Sequence, residues 1–151
     1  MEKDEALGKQ KTKNTLYYSD YAHHPTEINA TLKAFKDNFP NKKLICVFES
    51  HQTYRLNRLF SDFVHAFESA DKLILLPVYK VMRREEESKR DAFDLAQAIR
   101  KKKKETYFVP SWGNADKMIG KIQNEGNTLI VFMGAGDIDA NARKFCARLT
   151  L

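Results

Sequence analysis

The sequence predicts an α/β fold, a Rossmann-like open, mostly parallel sheet of about five to six strands with helices on both faces. Two observations carry that expectation. Short apolar runs alternate with segments of helical period along nearly the whole chain. The runs themselves are apolar without alternation, as strands covered on both faces must be. Repetition of strand and helix returns successive strands parallel through right-handed crossovers. With 151 residues, 42% of them apolar, the chain suits one domain around a hydrophobic core.

Taken in order, residues 1–14 are expected to be a frayed N-terminal segment or a minor edge element, and residues 15–151 the domain proper. The strand runs are Thr15 to Tyr18, Leu44 to Phe48, Leu73 to Leu76, Tyr107 to Val109 and Leu129 to Met133. Between them apolar residues recur at helical spacing. Ile28, Leu32, Phe35 and Phe39 form one stripe behind Pro25, a residue suited to a first helical turn. A stronger stripe, Leu56, Leu59, Phe60, Phe63, Val64 and Phe67, predicts one continuous helix. Further stripes run through Phe93, Ala96 and Ile99, through Ala115, Met118, Ile119 and Ile122, and through Ile138, Ala142, Phe145 and Leu149. All are expected to be core. The segment Lys80 to Arg90, with Arg83-Arg84-Glu85-Glu86-Glu87, reads as an exposed loop.

Composition excludes several classes of function. No run approaches the roughly 18 apolar residues of a membrane helix, and Met1-Glu2-Lys3-Asp4-Glu5 lacks the apolar core of a signal peptide. A cytoplasmic location is expected. Cys46 and Cys146 are too few for a disulfide framework and read as buried small hydrophobes. The net charge of +6 invites a nucleic-acid reading, but its largest contributor is Lys101-Lys102-Lys103-Lys104 at a helix end. Cations there complement the helix dipole and stay solvated, and no aromatic residues interleave with them. No nucleic-acid partner is expected.

Open α/β sheets bind ligands outside the carboxyl ends of their strands. Ser19, Asp20, Tyr21, His23 and His24 follow the first run, and Glu49, Ser50, His51, Gln52 and Arg55 the second. Tyr79 and Lys80 follow the third, Ser111 and Trp112 the fourth, and Gly134-Ala135-Gly136-Asp137 the fifth. Each group also has a structural explanation. Asp20 can cap a turn, His24 before a proline can set up a helix, and the glycine turn can be plain strand-to-helix punctuation. Neither a G-x-S-x-G elbow nor an H-E-x-x-H pair occurs, and GxxxxGK[ST] is absent from these 151 residues. No metal site and no catalytic residue acting alone are expected.

The segment Ser19-Asp20-Tyr21-Ala22-His23-His24-Pro25-Thr26-Glu27-Ile28 resembles the D-D-Y-A-H-H-P-T-E-I signature of Mur ligases, specifically the UDP-N-acetylmuramate–L-alanine ligases. Phe48-Glu49-Ser50-His51-Gln52-Thr53-Tyr54-Arg55 is similar to their F-Q-P-H-[RT]-Y-[ST]-R, and Met133-Gly134-Ala135-Gly136-Asp137-Ile138 matches M-G-A-G-D-I. The resemblance spans roughly residues 15–150 and implies the C-terminal domain of a three-domain, ATP-dependent ligase. An N-terminal domain would hold the UDP-sugar, and a central domain would hold most of the ATP and magnesium. This domain would close over the nucleotide and receive L-alanine, and would be inactive alone. Asp20 matches the aspartate for the ATP ribose hydroxyls and His24 a histidine near the nucleotide. His51 and Arg55 match the pair facing the alanine and muramate carboxylates, and Gly134, Ala135, Gly136 and Asp137 the turn approaching substrate. Arg55 is read as opening the helix Leu56 to Phe67, beside its positive dipole end, a mildly unfavourable place that favours a ligand role.

Three departures stand out: Ser19 for the first aspartate, Glu49-Ser50 for Gln-Pro, and a segment after Tyr79 without the family's usual pattern. The alternatives are a murein-tripeptide recycling ligase domain and a free-standing, non-catalytic Mur-like binding module. Tyr21 and Glu27 argue against the first, whose motif has Phe and Ala there.

Overall fold

The computed structural model describes residues 5–10, 14–79 and 90–149. Its elements, in order, are β1 (Glu5–Gln10), β2 (Thr15–Asp20), α1 (Pro25–Asn38), β3 (Lys43–His51), α2 (Thr53–Arg58), α3 (Phe60–Ala66), β4 (Lys72–Tyr79), α4 (Ala92–Arg100), β5 (Thr106–Phe108), α5 (Trp112–Gln123), β6 (Thr128–Met133) and α6 (Ile138–Leu149). The six strands lie in the order β1-β2-β6-β3-β4-β5. From β2 to β5 all neighbours pair in parallel, and β1 runs antiparallel to β2 as an edge strand. Residues 5–10 are therefore the edge element rather than a frayed end. The expected exposed loop falls on residues 80–89, outside the described ones.

Alternation along each strand splits the core between the two faces. Leu44, Cys46 and Phe48 of β3 join the cluster under α1, α3 and α4, with Ile28, Leu32, Phe63 and Leu95. Ile45 and Val47 join the cluster under α5 and α6, with Ala115, Ile119, Ala142 and Phe145. Both cysteines are buried, and burial pushes the Cys146 thiol up to about 11.

Helix starts follow capping chemistry. His24 precedes Pro25, and its ring accepts from the Thr26 N–H while Glu27 accepts from the His24 N–H at 3.2 Å, a reciprocal box. Asp91 and Asp94 make a second such box at α4.

Three expectations fail. The helix over Leu56 to Phe67 is broken into α2 and α3, because Leu59 sits at φ −112°, ψ 23°. Leu56 and Phe63 are both fully buried, while Leu59 and Phe60 at the junction are only partly so. Phe93 is 47% exposed, packed edge-on to Phe108, and Ala92 and Leu95 take the buried face of α4 with Ala96 and Ile99. Of the lysine run, Lys103 is half-buried and not fully solvated, and its ammonium donates to the Ala70 carbonyl before β4. No helix among the described residues is long and apolar enough to cross a membrane.

Candidate functional site

The chain order dictates where a crevice must open. Strand β6 lies between β2 and β3. The helices that follow β2 and β3 cover one face, whereas α6, which follows β6, covers the other. Connections therefore diverge on both sides of the carboxyl end of β6, the topological position at which open α/β sheets bind ligands.

On the β2 side, Asp20 ends its strand 5% exposed, and its Oδ1 accepts from the Ala22 N–H at 2.7 Å. This is the turn-capping role anticipated as its structural explanation. Its carbonyl accepts from the Gly134 N–H at 3.1 Å, tying β2 to the glycine turn. Beside it the Ser19 hydroxyl donates to Asp139 Oδ1 at 2.5 Å, and Arg143 Nε donates to Asp139 Oδ2 at 2.9 Å. Burial opposes ionisation of Asp139, but the Ser19 hydroxyl and Arg143 outweigh it and hold its carboxyl below the usual range. Ser19, Asp20, Tyr21, Gly134, Gly136, Asp139 and Arg143 line a cleft of about 360 Å³.

The β3 side is closed at the N-terminus of α6. Glu49 Oε1 accepts from the Ile138 N–H at 3.2 Å, and the Asp137 amide also donates to this carboxylate. A side-chain anion thus occupies the N-terminus of α6, the place a ligand phosphate or carboxylate would otherwise take. Burial pushes the Glu49 carboxyl above its ordinary value against the pull of those amides. The two glycines serve this packing. Gly134 has φ +148°, and a Cβ there would lie 2.6 Å from the Glu49 carbonyl oxygen. A Cβ on Gly136 would lie 2.7 Å from Tyr79 Cγ and closer still to the Glu49 carboxylate. Close approach of the turn to β3 and β4 is what requires glycine. Ala135 and Gly136 are half-buried and Asp137 is exposed.

The His51 ring stacks on Tyr79 with centroids 5.5 Å apart and 15° between planes. His23 lies 6.3 Å from His51 and Tyr21 lies 5.3 Å from His23, so the rings form a ladder along the edge. Burial, then the positive Arg55, then His23 push the His51 imidazole below its ordinary value, which favours the neutral ring. Past His51 the chain turns at Gln52, whose φ of +68° is strained for a residue with a side chain. The Gln52 N–H bonds the Tyr79 carbonyl at 2.8 Å, holding the ends of β3 and β4 together. That turn launches α2 with Arg55 in it. Among the described residues, Arg55 Nη1 and the hydroxyl of Ser50, itself 2% exposed, are buried without a hydrogen-bond partner.

The structure thus brings Asp20 and the glycine turn together on one side of β6, and His51 with Arg55 on the other. His24 stays exposed at the α1 cap, apart from the ring ladder. Arg55 does not stand at the positive end of a long helix. It belongs to a separate six-residue helix, within whose last turn it falls. Ser111 is the α5 cap, with its side chain accepting from Asn114, and Trp112 packs on Phe132. Sequence reasoning placed Glu49 and Tyr79 at the edge without giving them a role, and passed over Asp139 and Arg143. The last two sit one helical turn apart on α6, a spacing visible in the sequence. Among the described residues no group of three His, Cys, Asp or Glu side chains is arranged to hold a metal ion.

Residues 5–136 match the family described as Mur ligase, glutamate ligase domain. The chain belongs to the Mur ligase C-terminal domain family. A UDP-N-acetylmuramate–L-alanine ligase of Streptococcus equi subsp. zooepidemicus (strain MGCS10565) is 37% identical over 132 residues, covering 87% of this chain and 28% of that protein. The Aquifex aeolicus enzyme of the same name is 31% identical over 139 residues, covering 92% of this chain and 29% of that protein. The Thermotoga maritima UDP-N-acetylmuramate-alanine ligase superposes with a TM-score of 0.75 at 27% identity, over 96% of this chain and 29% of that one. A separately solved domain from Haemophilus ducreyi shares the fold, with a TM-score of 0.67 at 18% identity, and covers 98% of its own chain. This Mur ligase domain therefore spans under a third of the length of the curated relatives it matches.

Proposed function

We propose that this domain closes over the nucleotide and positions substrates in an ATP-dependent ligase that adds L-alanine to UDP-N-acetylmuramate. In that reaction the γ-phosphoryl of ATP passes to the muramoyl carboxylate, giving an acyl phosphate and ADP. The L-alanine amine then attacks the acyl carbon, forming the amide and releasing phosphate. Such chemistry needs positioning and charge neutralisation more than covalent help from protein. Closure that excludes water also spares the acyl phosphate from hydrolysis.

Within this division of labour Asp20, with its surroundings, accepts from ribose hydroxyls, and His24 borders the nucleotide. The residues suit a ribose better than phosphates, because Glu49 already fills the helix end nearest the cleft. Phosphates and magnesium accordingly belong to a second domain, and the chain alone turns over no ATP. His51 and Arg55 face the carboxylates of L-alanine and of the muramoyl group, and the Gly134 to Asp137 turn borders them. The observation that carries this reading is the buried Arg55 Nη1, a guanidinium nitrogen with no acceptor among the described residues, set beside a neutral imidazole. A buried cationic donor left unpaired is costly, and a planar carboxylate arriving as ligand would satisfy it through two hydrogen bonds.

The test is ligation by a complete ligase carrying this domain, with L-alanine and UDP-N-acetylmuramate varied in turn. Arg55→Lys keeps the charge but loses the fork, so it should impair turnover nearly as much as Arg55→Ala, by about tenfold or more. Wild-type behaviour of Arg55→Lys toward both substrates would refute the clamp.

A further inference from the structure

A ribose presents two hydroxyls on adjacent carbons, and Asp20 reaches the cleft with little of its surface. That carboxylate is 5% exposed and spends Oδ1 on the Ala22 N–H. The same cleft presents a second carboxylate, Asp139, whose side chain is 45% exposed. We propose that Asp139, oriented by Ser19 and Arg143, is a second vicinal-diol-binding residue of this cleft, completing with Asp20 the recognition of a nucleotide's ribose.

The geometry supports this in three ways. Asp139 is fixed before any ligand arrives, by the Ser19 hydroxyl at 2.5 Å on one oxygen and Arg143 at 2.9 Å on the other. An ionised carboxylate offers about four lone-pair sites, so those two bonds leave acceptor capacity toward the cleft. Pairing also keeps it ionised, and a charged acceptor bonds a sugar hydroxyl more strongly than a neutral one. Charge then decides which end of a nucleotide sits here. Two carboxylates against one guanidinium repel phosphates and accept hydroxyls. A divalent cation is disfavoured, since Arg143 already neutralises Asp139 and the described residues hold no third ligand.

Position 19 explains why the arrangement can exist. An aspartate there would set a carboxylate against Asp139, whereas the serine hydroxyl donates to it. In this chain the second acidic group of the edge comes from α6 instead of from the end of β2. The cleft, at about 360 Å³, has room for a ribose ring.

This inference rests on the nucleotide-closing role proposed above, and its test separates the two. The isotope-labelled chain is titrated with ATP and with 2′,3′-dideoxy-ATP, following the backbone amides of Tyr21, Gly134 and Gly136 by NMR. Wild type should bind ATP about tenfold more tightly than the dideoxy compound, the size of a lost hydrogen bond to a charged group. Asp139→Asn should reduce that ratio severalfold while binding dideoxy-ATP like wild type. Ser19→Ala, which keeps the charge but frees the carboxylate to rotate, should reduce it partly. If Asp139→Asn and Ser19→Ala keep the full ratio while Asp20→Asn loses it, the Asp139 proposal is overturned and the nucleotide role stands. If neither nucleotide shifts those amides in wild type, the nucleotide role itself fails, and this proposal with it.

Discussion

The two sides of β6 hold the same ingredients and put them to opposite uses. Toward β3 the Glu49 carboxylate turns inward, accepts from the first amides of α6, and is walled in by Gly136 and Tyr79. Toward β2 the Asp139 carboxylate stays at the rim of a cleft, held by a hydroxyl and a guanidinium. Burial dominates for the first and raises its proton affinity. Hydrogen bonding and charge dominate for the second and lower it. A carboxylate satisfied by backbone is scaffold, and one satisfied by side chains at an opening is available to a ligand.

The largest expected effect breaks the closed side. Gly134→Ala combines a strained φ with a clash against a backbone oxygen, which cannot swing away. Urea unfolding should register a loss of about 2–5 kcal/mol, and Gly136→Ala should cost about 1–3 kcal/mol. Ser19→Ala on the open side should cost no more than about 1 kcal/mol. Equal costs on the two sides would mean the closed side is not packed as described.

A pH series sharpens the same contrast through opposite slopes. The folded chain holds the Glu49 proton more tightly than the unfolded chain, whose value is near the ordinary 4.5. Glu49 thus contributes stability that is complete below that value and fades as pH rises through the raised one. Asp139 behaves in the opposite way: its contribution is present above the ordinary 3.8 and is lost as pH falls through the lowered value. The stability of wild type relative to Glu49→Gln should therefore decline as pH rises above 4.5, and relative to Asp139→Asn it should decline as pH falls below 3.8. Urea midpoints across this range decide the matter, and slopes of the same sign would contradict the contrast.

The smallest effect concerns Arg55. Because Nη1 has no acceptor among the described residues, Arg55→Ala removes a costly unpaired donor and should raise stability slightly, by up to about 1 kcal/mol. It should also raise the His51 pKa toward its ordinary value, read by NMR titration of the ring. A loss of stability as large as that of Gly136→Ala would make Arg55 a structural residue.

Much of this was legible in order along the chain. Unbroken apolar runs marked every parallel strand, because covering both faces leaves no reason to alternate. The motif around Asp20 to Glu27 marked both the strand end and the capped helix behind it, since capping depends on residues three apart. The edge rule located His51, Arg55 and the glycine turn without a coordinate. What local pattern could not decide was where apolar surface is surplus. Leu59 and Phe93 carry apolar side chains at helical spacing, yet one bends its helix and the other faces out. Periodicity reports which residues could be buried, while packing against a particular neighbour selects which are.

The amino-acid sequence by itself determined the strand and helix order, the family, and which residues gather at the carboxyl edge of the sheet. Only the tertiary structure decided that β6 inserts between β2 and β3. That insertion meets Glu49 with the amides of α6, 89 residues away, and Ser19 with Asp139, 120 residues away. Hydrogen bonds and ion pairs act over a few ångströms and leave no periodic trace in a chain. Two carboxylates of one chemical type therefore became a buried cap and an open acceptor through the company that the fold assigned them.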